Sequence, residues 1–265
     1  MTQLRHLRVG AGAPALVFVH GFGCSRTDWD AQLAHFAPTR ACVACDLPGH
    51  GETPGRAEDC SIDTYGAHVA ALLDALELSQ VVLVGHSMGC RVVLQAALDA
   101  PQRVAGLVLV DGSRIGSGDP AAAEASAAQA VAASGYARFA QGLFEGMFLP
   151  TGDPALRSRV VARALALPEA IAASLFPRLV AWDARSMDRT LASVRQPMLV
   201  IQSSYLNSDR VRVPLRPGET TPWLELVRTR MPQARIEIVT GVGHFPQIEA
   251  AARVNALIEE FLATL

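Results

Sequence analysis

Six short apolar runs punctuate the chain, at residues 15–19, 41–45, 81–84, 107–110, 198–201 and 236–239. They are continuous rather than alternating, and mostly Val, Ile, Leu, Ala or Cys, which is how a strand covered on both faces reads. Between them the apolar positions change to helical spacing. Val69, Leu72, Leu73 and Leu76 fall at i, i+3, i+4 and i+7. Val92, Val93, Ala96 and Ala97 mark a mostly apolar helix, and Val254, Leu257, Ile258, Phe261 and Leu262 mark the last one. Such strand–helix alternation predicts an α/β fold, a mostly parallel open sheet with right-handed crossovers and helices on both faces.

The alternation stops between about residues 113 and 191. This stretch is alanine-rich and helical in period, with breaks expected at Pro120, Pro150, Pro154, Pro168 and Pro177, and it carries no strand pattern. It predicts three or four helices inserted after one strand as a cap over the sheet edge. The domains are then a core of residues 1–112 and 191–265 and a helical cap of residues 113–190. The alanine run at 121–133 reads either as part of that cap or as a mobile low-complexity segment. There is no internal repeat.

Composition narrows the function classes. Half of the 265 residues are hydrophobic, 18% are charged and the net charge is −2, which is a globular balance rather than a disordered one. Without a long basic run, neither nucleic acid nor an anionic membrane is expected as a partner. The N-terminal residues Met1-Thr2-Gln3-Leu4-Arg5-His6 have no apolar signal segment, and no stretch is long enough to span a bilayer. The five cysteines, an odd number without a tight framework, suit a reducing compartment. The expectation is a soluble cytoplasmic protein. Cys42 and Cys45 form a C-x-x-C, but they lie in an apolar strand pattern and no second pair completes a zinc site. With no metal-ligand cluster and no dinucleotide fingerprint, no cofactor and no metal are expected. Oligomeric state is not legible.

Gly85-His86-Ser87-Met88-Gly89 follows a strand and opens a helix, the context in which G-x-S-x-G marks a nucleophile elbow. The serine must sit in a tight turn with its hydroxyl above the sheet, and a Cβ at either glycine would collide with nearby backbone. A helix starting there aims free amides at developing negative charge. His20-Gly21-Phe22-Gly23 also follows a strand end, so the amides of Phe22 and Met88 can converge as an oxyanion hole. A serine needs a base. Of the seven histidines, His244 lies in the Gly-rich loop after the last strand, at the same carboxyl edge as the elbow. His20 and His86 flank the motifs and read as loop supports, His50 sits in a turn, and His6, His35 and His68 read as surface or core residues.

These motifs, with Asp46-Leu47-Pro48-Gly49-His50-Gly51, Leu109-Val110-Asp111 and Gly243-His244-Phe245 in this order, make the chain resemble the α/β-hydrolase superfamily over nearly its whole length. The resemblance implies a Ser–acid–His order and acyl-transfer chemistry. The superfamily usually carries its acid after the penultimate strand, in a short Gly-x-x-Asp pattern. Here that loop lacks the glycine, runs long and offers only the late Asp209, followed by Arg210-Val211-Arg212-Val213-Pro214. Some members place the acid one strand earlier, where Asp111 stands. Both carboxylates remain candidates, and Asp111 is preferred because a strand end is a rigid mount for an orienting group.

The leading expectation is a serine hydrolase of a small carboxylic ester or related acyl compound, working through an acyl-enzyme with Ser87, His244 and Asp111 or Asp209. Phe144, Phe148 and Trp182 in the cap are candidate substrate-binding residues. Within the same superfamily, a cofactor-free dioxygenase or a C–C bond hydrolase is the alternative. A ligand-binding module without turnover is the alternative from another class.

Overall fold

The computed structural model describes residues 3–207, 209 and 211–265, so Ser208 and Arg210, on either side of Asp209, lie outside the described residues. In chain order the elements are β1 (His6–Val9), β2 (Leu16–Val19), α1 (Asp30–Phe36), β3 (Cys42–Cys45), α2 (Ile62–Ala75), β4 (Val81–His86), α3 (Met88–Asp99) and β5 (Val104–Val110). Then come α4 (Pro120–Ser134), α5 (Tyr136–Glu145), α6 (Pro154–Leu165) and α7 (Glu169–Ser193). The chain finishes with β6 (Met198–Gln202), β7 (Ser204–Leu206), β8 (Arg212–Pro214), α8 (Pro222–Arg230), β9 (Arg235–Ile238), α9 (Pro246–Glu249) and α10 (Ala251–Leu262). Seven strands form one sheet in the order β1-β3-β2-β4-β5-β6-β9. From β3 to β9 the neighbours are parallel.

The continuous apolar runs have a direct cause. Successive residues of a strand point to opposite faces, and here both faces are covered. Val17, Val43, Leu83 and Leu109 join one core with α2, α3 and the α4–α7 helices. Leu16, Phe18, Val82, Val84, Val108 and Val110 join a second core with α1 and α10. The mostly parallel α/β sheet expected from the pattern is the observed one.

The pattern missed the edges. β1 pairs antiparallel with β3, but His6-Leu7-Arg8-Val9 is only partly buried, so nothing forces an apolar run. β7 and β8 form a separate antiparallel pair that is only partly buried and has no apolar run either. β9 begins one residue earlier than expected, at Arg235.

Between β5 and β6 run the four helices α4–α7. Asp119 and Asp153 cap α4 and α6, accepting from the amides of Ala122 and Ala155 at 2.8 Å, with Pro120 and Pro154 in the first turn. The alanine run lies in α4. The break expected at Pro177 does not occur: α7 continues through it. A proline costs the helix a backbone hydrogen bond, and the burial of Ala172, Leu175, Leu179, Trp182, Met187 and Leu191 along α7 outweighs that cost. The α5 residue Phe144 packs on Phe22 and α7 reaches α3, so these helices cover the carboxyl ends of the central strands.

Candidate active site

Ser87 joins β4 to α3 with φ of +54° and ψ of −112°, a left-handed backbone that costs a non-glycine residue about 1–3 kcal/mol. The surroundings impose it. The Ser87 amide donates to the Val110 carbonyl at 3.0 Å. A Cβ at Gly85 would sit 2.3 Å from the Gly89 carbonyl oxygen, and one at Gly89 would sit 2.3 Å from that of Val19. Only glycine fits either place, and the close approach holds the Ser87 hydroxyl up at the end of the sheet.

His244 stands in the loop between β9 and α9. Its Nε2 is 2.8 Å from Ser87 Oγ, and its Nδ1 is 2.6 Å from Asp111 Oδ2. With the ring proton on Nδ1, the histidine donates to the carboxylate and accepts from the hydroxyl. The loop is fixed on every side. The His244 amide donates to the Met147 carbonyl at 2.8 Å, and its carbonyl accepts from His86 Nε2 at 2.7 Å. The Glu249 carboxylate accepts from the amides of Gly243 and Phe245 at 3.2 and 3.3 Å. Burial lowers the His244 pKa below the ordinary histidine value, although the Asp111 carboxylate pulls the other way.

Asp111 directly follows β5, wholly buried, with φ of +46°. Its amide donates to the Ile201 carbonyl at 2.7 Å. Its Oδ1 accepts from the Ser203 amide at 2.8 Å and the Ser203 hydroxyl at 2.9 Å. Burial pushes this carboxyl up, but the bond from His244, the nearby Arg212 cation and the Ser203 amide outweigh it and hold it below the usual carboxylate range. Arg212 reaches within 3.9 Å of Asp111 Oδ2 while donating to the Gly146 carbonyl and Ser204 Oγ at 3.0 Å each. The other carboxylate, Asp209, lies exposed in a turn after β7, its amide donating to Asn207 Oδ1 at 3.0 Å. The structure therefore joins Ser87, His244 and Asp111 and leaves Asp209 apart.

The loop carrying Phe22 lies against the elbow, since a Cβ at Gly21 would sit 3.2 Å from Ser87 Cβ. Two other histidines support this loop. His20 Nε2 accepts from the Leu47 amide at 3.0 Å, and His50 Nε2 accepts from the Gly23 amide at 3.2 Å. Burial lowers the pKa of both, His50 to about 4, and that of His86 to about 3, so all three are neutral supports. Phe144 is fully buried and stacks on Phe22 with centroids 6.2 Å apart. Phe148 stacks on Phe245 at 5.3 Å, beside His244. Trp182 is buried in α7.

All five cysteines are free and buried. Burial pushes the Cys42 thiol up to about 11 and those of Cys45 and Cys90 to about 12. Among the described residues, no three His, Cys, Asp or Glu are grouped to hold a metal ion, and no single helix is long and apolar enough to cross a membrane.

Sequence reasoning missed Ser203, Glu249, Arg91 and Asp183. Arg91 and Asp183 carried a signal, as lone charges inside the apolar faces of α3 and α7. Ser203 carried none, since a serine after a strand is commonplace.

The sequence profile described as the alpha/beta hydrolase family matches residues 16–257. The dihydrolipoyllysine-residue acetyltransferase component of the acetoin cleaving system of Cupriavidus necator is 28% identical over 267 residues, covering 98% of this chain. The chain spans 66% of that relative's length. Among solved structures, an N-acyl homoserine lactone degrading enzyme superposes with a TM-score of 0.80 at 26% identity, covering 97% of this chain and 96% of the other. A thermophilic esterase from Thermogutta terrifontis superposes with a TM-score of 0.80 at 25% identity, covering 98% and 93%.

Proposed function

We propose that this chain, which belongs to the alpha/beta hydrolase family, is a hydrolase that cleaves a small carboxylic ester, open-chain or cyclic, through an acyl-enzyme on Ser87. The observation that carries this reading is the unbroken hydrogen-bonded line from Ser87 Oγ through His244 to Asp111, at 2.8 and 2.6 Å. The similarity to an esterase and to a lactone-degrading enzyme supports the ester class.

In this mechanism Ser87 Oγ attacks the carbonyl carbon as its proton passes to His244 Nε2. The carbonyl electron pair moves onto oxygen, where the amides of Phe22 and Met88 receive it. The tetrahedral adduct collapses, the bond to the alcohol oxygen breaks, and that oxygen takes the proton from His244. Water then gives a proton to His244 and attacks the acyl carbon, releasing the acid and restoring the Ser87 hydroxyl. Asp111 fixes the imidazole tautomer and stabilises the imidazolium formed in each half-reaction. Phe144, Phe148 and Trp182 are assigned to the apolar side of the substrate site. The test is a fluorophosphonate probe, which should label Ser87. Labelling of a different serine, with Ser87→Ala still active, would remove the reading.

One feature favours a second reading. An acid on the end of β5 resembles the arrangement in cofactor-free dioxygenases of the superfamily. Oxygen uptake with a heteroaromatic substrate, without ester turnover, would select it.

A further inference from the structure

Arg91 lies one turn into α3 and is 1% exposed. Burying a guanidinium is expensive unless every donor is matched, and here the matching is detailed. Nε and Nη2 donate to Asp183 Oδ1 and Oδ2 at 2.7 Å each. Nη2 also donates to the Ser113 carbonyl at 2.8 Å. The remaining arm, Nη1, donates to the Ser87 carbonyl at 3.1 Å. Asp183 is wholly buried on α7, and its Oδ2 also accepts from the Ile115 amide at 2.7 Å.

The Ser87 carbonyl and the Met88 N–H belong to one planar trans peptide unit and point in opposite directions. A donor that fixes the carbonyl therefore fixes the direction of the amide. The unit needs fixing, since Ser87 has a φ of +54° and local preference does not hold it there. The Cys90 amide, within the first turn of α3, also reaches the carbonyl at 3.1 Å. Arg91 adds a charged donor from the opposite end of its own side chain, anchored on another helix. A charge-assisted bond to the carbonyl also polarises the peptide and strengthens its N–H as a donor.

We propose that Arg91 is a positioning residue of the oxyanion hole: it sets and polarises the Ser87–Met88 peptide, and Asp183 on α7 holds it in register. The seating of α7 is thereby linked to the Met88 amide. This rests on the reading of Met88 as an oxyanion donor. A pair that served only to anchor α7 would affect stability and leave the chemistry of correctly folded molecules unchanged.

Two variants separate these roles. Arg91→Lys keeps a cation for Asp183 but lacks the planar fork that spans both partners. Arg91→Met combined with Asp183→Leu removes both charges at once, which buried pairs often tolerate. Active sites are counted by fluorophosphonate titration, so that kcat refers to folded molecules, and binding of a trifluoromethyl ketone reports the oxyanion hole. In both variants kcat per titrated site should fall by about tenfold to a hundredfold, less than the roughly 10²–10³ lost when an oxyanion donor is removed. KM should stay within about threefold and the ketone should bind more weakly by a factor similar to the loss in kcat. If kcat per site and ketone binding stay within about twofold of the unsubstituted protein, the proposal is overturned. Should the double variant fail to fold, Arg91→Lys decides alone. Absence of labelling at Ser87 in the unsubstituted protein would overturn the ester-hydrolase reading, and this proposal with it.

Discussion

Ser203 holds Asp111 from the neighbouring strand end, its amide and hydroxyl donating to Asp111 Oδ1 at 2.8 and 2.9 Å. The place after β6, where the superfamily usually carries its acid, thus supplies donors to an acid delivered by β5. Two amides in series, Asp111 to Ile201 and Ser203 to Asp111, lock the two strand ends together. The carboxylate is left with its other oxygen facing His244 Nδ1.

This arrangement predicts an asymmetric result from two conservative substitutions. Asp111→Asn should cut kcat on an activated ester by several orders of magnitude, on the order of 10⁴, because the amide favours the wrong imidazole tautomer. Asp209→Asn, at an exposed turn, should cost less than about tenfold. Steady-state kinetics on one ester decide it, and the reverse ranking would return the acid to the loop after β6.

Activity should persist below the ordinary histidine range. In the proposed mechanism the working form of His244 is the neutral ring, so activity should fall as pH drops through its pKa. Burial lowers that pKa despite Asp111. The acid limb of kcat/KM should therefore have its midpoint below about 6.5, the value of an unperturbed histidine. A midpoint above that value would mean the imidazolium is stabilised in the resting enzyme more than burial disfavours it.

Acid should also weaken the fold. His20, His50, His86 and His244 all have pKa values lowered mainly by burial, to about 4 for His50 and about 3 for His86. Below about pH 6.5 the unfolded chain binds more protons at these four positions than the folded chain does, so stability drops as pH falls through that window. Urea midpoints measured between pH 7.5 and 4.5 should decline on the acid side with net proton uptake on unfolding. A midpoint flat across that range would contradict the burial of these rings as neutral bases.

Substrate length should be read by two aromatic residues. Phe144 stacks on Phe22 and Phe148 on Phe245, each beside a residue of the proposed machinery. Phe144→Leu and Phe148→Leu should alter the ranking of p-nitrophenyl esters by chain length more than they alter the rate on the acetate. An equal change on every ester would limit both rings to packing.

The sequence carried the parts of this molecule that obey strong local rules. Buried parallel strands read as apolar runs, and the elbow read as glycines around a serine between strand and helix. His244 followed from its place after the last strand. What stayed hidden depends on contacts between distant segments. The strand-end place favoured Asp111 over Asp209, but no local feature shows which carboxylate meets His244, so both stayed open; Asp111 bonds it and Asp209 lies exposed after β7. Ser203 acquires its role only because β5 and β6 are neighbours in the sheet. Pro177 was misread because its local cost is visible in sequence while the burial that offsets it is tertiary. β1 was missed because an edge strand has one poorly covered face.

Acyl transfer through Ser87 requires a covalent intermediate on its hydroxyl, which rapid acid quench during turnover of an activated ester, followed by peptide mass analysis, would capture. The acyl mass should appear on the peptide containing Ser87 and should be absent in Ser87→Ala. Full turnover with no adduct on Ser87 at any quench time, together with an active Ser87→Ala variant, would contradict the claim.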